Sequence, residues 1–363
     1  MRAKEIARST PHLRIAQLAP LWLPVPPERY GGTERVVHVL TEELVRRGHD
    51  VTLFAAGGSR TSARLRAASP RPLWEVPSGD HFAIRVVQIE DLIGCADGFD
   101  VVHSHIDALP WLAGARIQAP VLTTLHGRLD LPILRQLFAA YRDRALISIS
   151  DSQRSPLRDL HLNWVATVYH GLELAKHYRI GSGEGGYLLF LGRISPEKDP
   201  AAAIRVALRA AIPLRIAARV DPEDEAYFRR EVEPWLRHPL VHWVGEVAHA
   251  EKVELLRGAR ALLMPVDWPE PFGLVFIEAL ACGTPVVARP CGSLPEIVRD
   301  GQHGRLARTE DELVRAIGDL DGIDRAACRA YALDRFGVER MADDYEQAYR
   351  AVTAGELLAA TAS

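Results

Sequence analysis

The chain has 363 residues, enough for about two domains at roughly 100–200 residues each. Hydrophobic residues make up 48% of the chain and charged residues 25%, close to the globular average, which excludes a disordered or fibrous protein. The formal charge of -3 leaves no basic excess of the kind that binding to a nucleic-acid backbone requires. We therefore expect a globular protein of two domains without a nucleic-acid partner.

Neither the cysteines nor the first residues indicate an extracellular or membrane-spanning protein. No C-x-x-C pair occurs among the four cysteines, so their spacing predicts neither a zinc site nor a disulfide framework. The basic opening residues lead into no apolar segment of signal-peptide length, and no later run approaches ~18 uncharged apolar residues. We expect a cytoplasmic location and no transmembrane segment. The cysteines are Cys95, Cys282, Cys291 and Cys328.

Short apolar runs alternate with helical patterns in the first half of the chain, which is typical of a parallel sheet covered on both faces. Between the first two runs, valines and leucines recur at helical spacing up to Gly48, a good helix terminus, and so predict a βαβ unit. The predicted strands are Arg14–Ala19, Asp50–Ala55, Val101–His103, Val121–Leu125 and Leu146–Ser150.

The same alternation resumes after His170-Gly171 and predicts a second doubly wound sheet, so the fold class is α/β with two Rossmann-like domains. The second set comprises a helix around Ala201–Ala210 and strands at Tyr187–Leu191, Leu214–Ala217, Val241–Val244, Ala261–Met264 and Pro285–Ala288.

A glycine-rich segment, Lys176–Gly186, places the domain boundary between the two sets of strands. We therefore predict an N-terminal domain at residues 1–178 and a C-terminal domain at 179–337. Residues 338–363 are predicted to form an amphipathic helix to about Val352, followed by a frayed tail, ELLAATAS. The helix face carries Met341, Tyr345 and Tyr349.

The stretch DWPEPFGLVFIEALACGTP combines two carboxylates with the predicted start of a helix. Glu270 lies in the loop before the helix, and Glu278 lies within its first two turns. The N–H groups of Phe272, Gly273 and Leu274, with the helix dipole, favour phosphate or sugar hydroxyl oxygens. The alternative is that Glu270 is a solvated charge and Glu278 forms an ordinary surface ion pair.

Two cations, Arg193 and Lys198, follow the predicted strand YLLFL on the loop that leaves it. Open α/β sheets bind their ligands at the carboxyl ends of the strands, and an arginine fork with a lysine point charge suits a diphosphate. The alternative is a solvated loop on which these cations pair with Glu197 and Asp199.

The segment Tyr30-Gly31-Gly32-Thr33-Glu34 joins the first strand's long loop to the first helix. Adjacent glycines let the backbone approach a ligand closely, and a helix N-terminus favours phosphate. The alternative is a simple turn with Thr33 as the helix N-cap. No G-x-G-x-x-G opens either half of the chain, which disfavours a dehydrogenase.

Together these motifs resemble the retaining glycosyltransferases of family 4, over nearly the whole chain. The resemblance implies the GT-B architecture, in which two Rossmann-like domains face each other and a C-terminal helix crosses back to the first domain. It rests on the GGTE loop and on TLHG, YHG, FLGRISPEK, WPEPFGLVFIEALACGTPVVA and LPEIVRDG.

The resemblance implies transfer of a hexose from a nucleotide diphosphate sugar with retention of configuration. In that reading Arg193 and Lys198 hold the donor diphosphate and stabilise the leaving nucleotide, as fixed cations do where negative charge develops. Glu270 contacts hydroxyls of the donor sugar, and Glu278 binds the nucleotide ribose. His126 lies where relatives place a histidine beside the reaction centre.

Backbone groups complete the donor site that the resemblance implies. Gly31 and Gly32 reach the diphosphate from the N-terminal domain, and the backbone near Gly245–Val247, including Val247, holds the base. The amides of Phe272, Gly273 and Leu274 complete the sugar and phosphate site. Front-face retention needs no protein nucleophile, and we assign no catalytic base.

The resemblance implies no cofactor and no metal. The D-x-D triplet Asp319-Leu320-Asp321 lies well after the donor motifs and is predicted to be a solvated helix end. His103 and His105, with His126, lack the spacing of zinc ligands. We expect His103 and His105 to be polar residues at a strand end or acceptor contacts.

The sequence departs from the family pattern in two places. Arg219 stands where many relatives have a small glycine-rich turn, and an acidic stretch from Asp221 to Glu225 follows it. Cys291-Gly292-Ser293 replaces the usual pair of glycines. The stretch LRIAARVDPEDEAYF, together with DWPEPFGLVFIEA, resembles a bacterial subgroup that uses UDP-glucose, which makes UDP-glucose the expected donor.

Two other function classes stay open at this point. A sugar-nucleotide epimerase of the same fold would release rearranged sugar without an acceptor, and a nucleotide-sugar-binding protein would show no turnover. The acceptor, whether a small molecule, a glycan or a lipid, is not identified by the sequence. A lipid acceptor would bring peripheral membrane contact.

Overall fold

The structure, a computed structural model, describes residues 12–76 and 79–355. The predicted frayed tail, residues 356–363, lies outside these ranges, and so do the first 11 of the opening residues. Within the ranges, no helix combines the length and apolar character needed to cross a membrane. The described strands form one sheet of seven and one of six.

The seven-stranded sheet has the order β3-β2-β1-β4-β5-β6-β7. The interior strand β1 is buried in every residue after Arg14 and pairs in parallel with β2 and β4. Parallel neighbours require crossover connections, which helices supply here. The strands are β1 Arg14–Leu18, β2 Asp50–Ala56, β3 Arg64–Ser69, β4 Val101–Ser104, β5 Val121–Thr124, β6 Ala145–Ser148 and β7 Trp164–Thr167, and the helices are α1 Gly32–Arg46, α2 His81–Ile93, α3 Pro132–Ala140, α4 Asp151–Arg154 and α5 Leu174–His177.

All five strands predicted for this sheet are confirmed to within two residues at each end. The two that were missed, β3 and β7, are the edges of the sheet. Residues of β3 are mostly exposed, and those of β7 are half-buried. Edge strands face solvent, so their sequences lack the continuous apolar run that identifies a buried parallel strand.

The six-stranded sheet has the order β10-β9-β8-β11-β12-β13 and confirms the second set of predicted strands. Again the missed strand, β13, is an edge. The strands are β8 Leu188–Ile194, β9 Leu214–Val220, β10 Val241–Trp243, β11 Ala261–Met264, β12 Val286–Ala288 and β13 Gly304–Leu306, and the helices are α6 Pro200–Arg209, α7 Glu225–Tyr227, α8 His249–Gly258, α9 Leu274–Ala281, α10 Leu294–Ile297, α11 Glu310–Gly318, α12 Arg325–Phe336 and α13 Val338–Thr353.

The strands β8 and β9 run further than predicted. Arg193 belongs to β8, so its placement on a loop was wrong, and Arg219 belongs to β9. These extensions carry β8 and β9 in register as far as Ile194 and Val220. Both arginines thereby sit on rigid backbone at the carboxyl ends of their strands.

The chain divides into two compact units that do not follow the order of the sequence. One takes the residues up to Pro26, Thr33–Thr124 and those from Gln347 onward, and the other takes Pro27–Gly32 and Leu125–Glu346. All residues predicted for the donor site belong to the second unit, including the glycine pair of Pro27–Gly32.

The end of α13 is tied into the first unit by a buried hydrogen-bond network. The Tyr349 hydroxyl lies 2.8 Å from His103 Nδ1 and accepts from Gln17 Nε2 at 3.1 Å. His103 Nε2 lies 2.7 Å from the Thr124 hydroxyl, and His105 Nε2 lies 2.8 Å from Gln17 Oε1. His103 lies near the end of β4, in agreement with the predicted strand-end position, and is completely buried. The predicted buried face of α13 is confirmed, since Met341, Tyr345 and Tyr349 are completely buried.

Replacing Tyr349 with Phe tests this network. The substitution keeps the ring but removes the buried hydroxyl that Gln17 Nε2 and His103 Nδ1 contact, which we expect to cost about 1–3 kcal/mol of unfolding free energy. Urea unfolding followed by circular dichroism measures the change. Unchanged stability of Tyr349→Phe would show that the hydroxyl does not hold α13.

Candidate functional site

An ion pair joins Lys198 and Glu270, which are 72 residues apart in the sequence. Lys198 follows β8 and Glu270 follows β11, and these strands are neighbours in the sheet, so their carboxyl ends bring the two loops together. The Trp268 indole N–H donates to Oε2 of Glu270 at 2.9 Å, and Lys198 Nζ lies 5.1 Å from the Trp268 ring centroid.

Burial of this pair contradicts the alternative interpretation of both residues as solvated charges. The side chains of Lys198 and Glu270 are 19% and 10% exposed. Asp199, the partner that the alternative proposed for Lys198, instead accepts from Arg289 at 2.9 Å and caps α6. Trp268 was missed by the sequence analysis, although it lies two residues before Glu270.

The second glutamate, Glu278, forms a different buried cluster. It is 2% exposed on the inner side of α9, and its Oε1 accepts from the Tyr178 hydroxyl at 2.6 Å and from Lys252 Nζ at 2.5 Å. The alternative of a surface ion pair is thus wrong, because the pair is buried. Neither Tyr178 nor Lys252 was predicted. A buried carboxylate requires a partner, but the sequence does not show which cation the fold supplies.

The backbone at the start of α9 depends on Gly273. This residue has a φ of +86°, and a Cβ there would lie 2.4 Å from the Phe276 ring. The helix begins at Leu274, as predicted, so the first N–H groups of the helix have no carbonyl partner within it. Phe272 is 2% exposed and its ring packs 5.0 Å from that of His170, so its side chain is part of the core.

The departure at Cys291-Gly292-Ser293 has a local structural reason. Gly292 has a φ of +60°, and a Cβ there would lie 2.3 Å from the backbone nitrogen of Glu270. Ser293 donates from its backbone N–H to the Glu270 carbonyl at 2.9 Å and from its hydroxyl to the Phe272 carbonyl at 2.8 Å. The segment therefore holds the backbone of the loop that carries Glu270.

Arg193 is surrounded by the acidic stretch that follows β9. Its guanidinium lies 3.5 Å from Asp221, 3.7 Å from Glu223 and 3.6 Å from Asp224, and the side chain is 28% exposed. One carboxylate oxygen from each of these three residues lies within 4.8 Å of the other two. The stretch noted as a departure from the family pattern thus provides the partners of the predicted diphosphate arginine.

His126 stacks on His170 with ring centroids 5.1 Å apart, and His170 in turn contacts Phe272. Burial lowers the pKa of His126 to about 3. Burial, reinforced by His126 and Arg340, also holds the pKa of His170 well below its usual value. Both imidazoles are therefore neutral at physiological pH.

The glycine pair begins α1. Gly31 is buried with a φ of +141°, and α1 starts at Gly32, so Thr33 is not the N-cap. A Cβ on Gly32 would lie 3.6 Å from the Leu274 side chain at the start of α9. Val247, half-buried, lies in the loop between β10 and α8.

The D-x-D triplet lies at a helix end. Asp319 is the C-terminal cap of α11, and Asp321 is 88% exposed and pairs with Arg260 at 3.3 Å. This agrees with the predicted solvated helix end.

Comparison with known proteins identifies the family. Residues 179–332 match the family described as "Glycosyl transferases group 1", and residues 30–176 match the family described as "Glycosyltransferase Family 4". A D-inositol 3-phosphate glycosyltransferase of Stackebrandtia nassauensis is 31% identical over 309 residues, which cover 69% of this chain and 68% of that protein. The chain belongs to glycosyltransferase family 4. It is accordingly a glycosyltransferase that acts on a sugar donor.

Two further comparisons extend over most of this family 4 chain. A phosphatidyl-myo-inositol mannosyltransferase of Mycolicibacterium smegmatis is 27% identical over 326 residues, 82% of each chain. The structure of Anabaena Alr3699/HepE in complex with UDP-glucose has a TM-score of 0.71 at 17% identity, and the match covers 93% of this chain and 99% of that one. The likeness confirms the predicted GT-B fold.

Replacing Lys252 with Met tests the buried cluster at Glu278. It removes the ammonium group of Lys252 from a buried carboxylate, and we expect a loss of about 1–3 kcal/mol in unfolding free energy. The matched control is Lys176→Met, which removes an exposed pair with Glu173 and is expected to cost less than about 1 kcal/mol. Equal effects of the two substitutions in urea unfolding would contradict the assignment.

Stability should fall as the pH falls below about 6.5. The unfolded chain protonates its histidines there, whereas folded His126 and His170 stay neutral to much lower pH, so each costs up to about 1.4 kcal/mol per pH unit. We expect His170→Asn to have a shallower slope of unfolding free energy between pH 6.5 and 5 than the wild type. A slope for His170→Asn equal to that of the wild type and of the exposed control His242→Asn would contradict this account.

Proposed function

We propose that this family 4 enzyme transfers a hexose from a nucleotide diphosphate sugar, UDP-glucose, to an acceptor with retention of configuration and without a metal ion. The observation that carries the proposal is the contact between Lys198 and Glu270. In a nucleotide sugar the pyranose is bonded directly to the second phosphate. A cation for that phosphate and a carboxylate for the sugar hydroxyls must therefore be adjacent.

Donor binding in this proposal exchanges the partners of the ion pair. A phosphate oxygen takes the place of Glu270 beside Lys198, and Glu270 then accepts hydrogen bonds from sugar hydroxyls while Trp268 continues to donate to it. A phosphate is a stronger partner for the ammonium group than a single carboxylate, since it presents more oxygens and more charge. After the exchange Lys198 has an anionic partner, and the Glu270 carboxylate keeps hydrogen-bond donors from Trp268 and from the sugar.

Cleavage of the bond between sugar and phosphate puts negative charge on the departing nucleotide. Arg193, Lys198 and the N-terminus of α9 stabilise that charge, and fixed positive groups of this kind lower the barrier without reorganising. They supply the charge that a divalent cation supplies in other enzymes, which is the basis for proposing metal independence. Neutral His126 is suited to a hydrogen bond with a sugar hydroxyl and not to protonating a leaving group.

The donor is proposed from the resemblance to the UDP-glucose subgroup. Glu278, which Lys252 and Tyr178 hold in place, is the proposed partner of the ribose hydroxyls. Carboxylates accept paired hydrogen bonds from adjacent hydroxyls, and the ribose diol offers such a pair. The acceptor is proposed to bind in the N-terminal domain.

Release of nucleoside diphosphate from UDP- and GDP-sugars tests the proposal. We expect slow release from UDP-glucose without acceptor, unaffected by a chelator, and roughly a hundredfold slower in Arg193→Ala and Glu278→Ala. Arg135→Ala, which removes an exposed pair with Asp159, is the control and should be unchanged.

Other products would contradict the proposal. Rearranged sugar released without an acceptor would indicate an epimerase, and donor binding without turnover in the presence of an acceptor panel would indicate a binding protein. The anomeric configuration of the product, read by NMR, tests retention.

A further inference from the structure

Arg219 occupies a position that the proposed function leaves unexplained. It is the directly opposite partner of Arg193 in the parallel register of β9 and β8, so two arginines stand side by side at the strand ends. Arg219 forms an ion pair with Asp221, in which Nη2 donates to Oδ2 at 3.2 Å and Nε lies 3.0 Å from Oδ1. Arg193 lies 3.5 Å from the same carboxylate, which therefore bridges the two arginines.

The face of the Arg219 guanidinium stacks on Tyr30. The guanidinium carbon lies 4.1 Å from the Tyr30 ring centroid, and Tyr30 directly precedes the glycine pair Gly31-Gly32. Tyr30 is 45% exposed, so the stack is not a consequence of core packing. The neighbouring Arg29 lies 3.5 Å from Glu246, in the loop predicted to hold the base. The segment 27–32 is thus held by its own side chains against the loops that surround the proposed donor.

We propose that Arg219 is a positioning residue for the donor diphosphate, which docks the glycine loop through Tyr30 and holds Arg193 through Asp221. This inference rests on the proposed function of Arg193 and the glycine pair. The edge of the guanidinium is used by Asp221 and its face by Tyr30, so Arg219 acts through these neighbours rather than on the phosphate.

The reason for an arginine here is that one planar group serves two partners. Glycine backbone is the most costly in entropy to order, and a glycine loop binds phosphate well only if something fixes it beforehand. A guanidinium stacks on an aromatic ring and pairs in parallel with a carboxylate at the same time, which an ammonium group does not do. A lysine at position 219 would keep the charge and lose both geometries.

The test compares ligands with and without the diphosphate. We expect Arg219→Met and Arg219→Lys to weaken UDP binding roughly tenfold in calorimetry, and to raise the KM for UDP-glucose similarly with little change in kcat. Binding of uridine, measured by NMR titration, should be unchanged, because uridine has no phosphate for the loop or Arg193 to hold.

The same strand offers a matched control. Arg215, at the other end of β9, stacks on Tyr187 at 4.0 Å in the same kind of contact. Arg215→Met therefore removes an equivalent stack away from the proposed site and should leave UDP binding unchanged. Tyr30→Leu removes the same stack from an exposed loop position, so it should weaken UDP binding as Arg219→Met does and replaces that variant if Arg219→Met folds poorly. Tyr30→Phe keeps the aromatic ring and should retain most of the wild-type affinity for UDP.

Each result separates the inference from the proposed function. Wild-type affinity for UDP in Arg219→Met and Tyr30→Leu would overturn the positioning role while leaving the donor site intact. An equal loss of UDP and uridine binding would also overturn it, since that indicates general damage to the pocket. A wild-type protein that binds neither UDP nor GDP would overturn the proposed function itself, and the inference with it.

Discussion

The ion pair of Lys198 and Glu270 is the constraint around which the proposed site is organised. Two largely buried charges from distant parts of the chain lie in contact because β8 and β11 are parallel neighbours that end at the same edge of the sheet. Burying either charge alone would be costly, and pairing them offsets part of that cost. The fold can therefore keep a cation and a carboxylate in a sheltered site before any substrate arrives.

The other charges of the site follow the same rule. Glu278 is held by Lys252 and Tyr178, and Arg193 is held by the acidic stretch after β9. These charged groups have partners in the protein, so binding in our proposal consists of exchanging partners rather than desolvating bare charges. This arrangement suits an anionic donor, because an exchange costs less than the burial of a new charge.

Much of this architecture was predictable from sequence, and the exceptions have physical causes. Interior strands such as β1 are recognisable in the sequence as continuous apolar runs, whereas the edge strands β3, β7 and β13 lack such runs. The start of α9 was predictable from local glycine and proline chemistry. The partners Lys252 and Tyr178 were not, since they reach Glu278 through tertiary packing that leaves no local pattern. The sequence identifies the charged residues of the candidate site, but only the fold shows which of them lie in contact.

A crystal structure with a non-hydrolysable UDP-glucose analogue tests the central claim most directly. The account predicts that the contact between Lys198 and Glu270 is broken in the complex, with Nζ of Lys198 on a phosphate oxygen and the Glu270 carboxylate on hydroxyls of the sugar. An intact ion pair, with the diphosphate bound elsewhere, would contradict it.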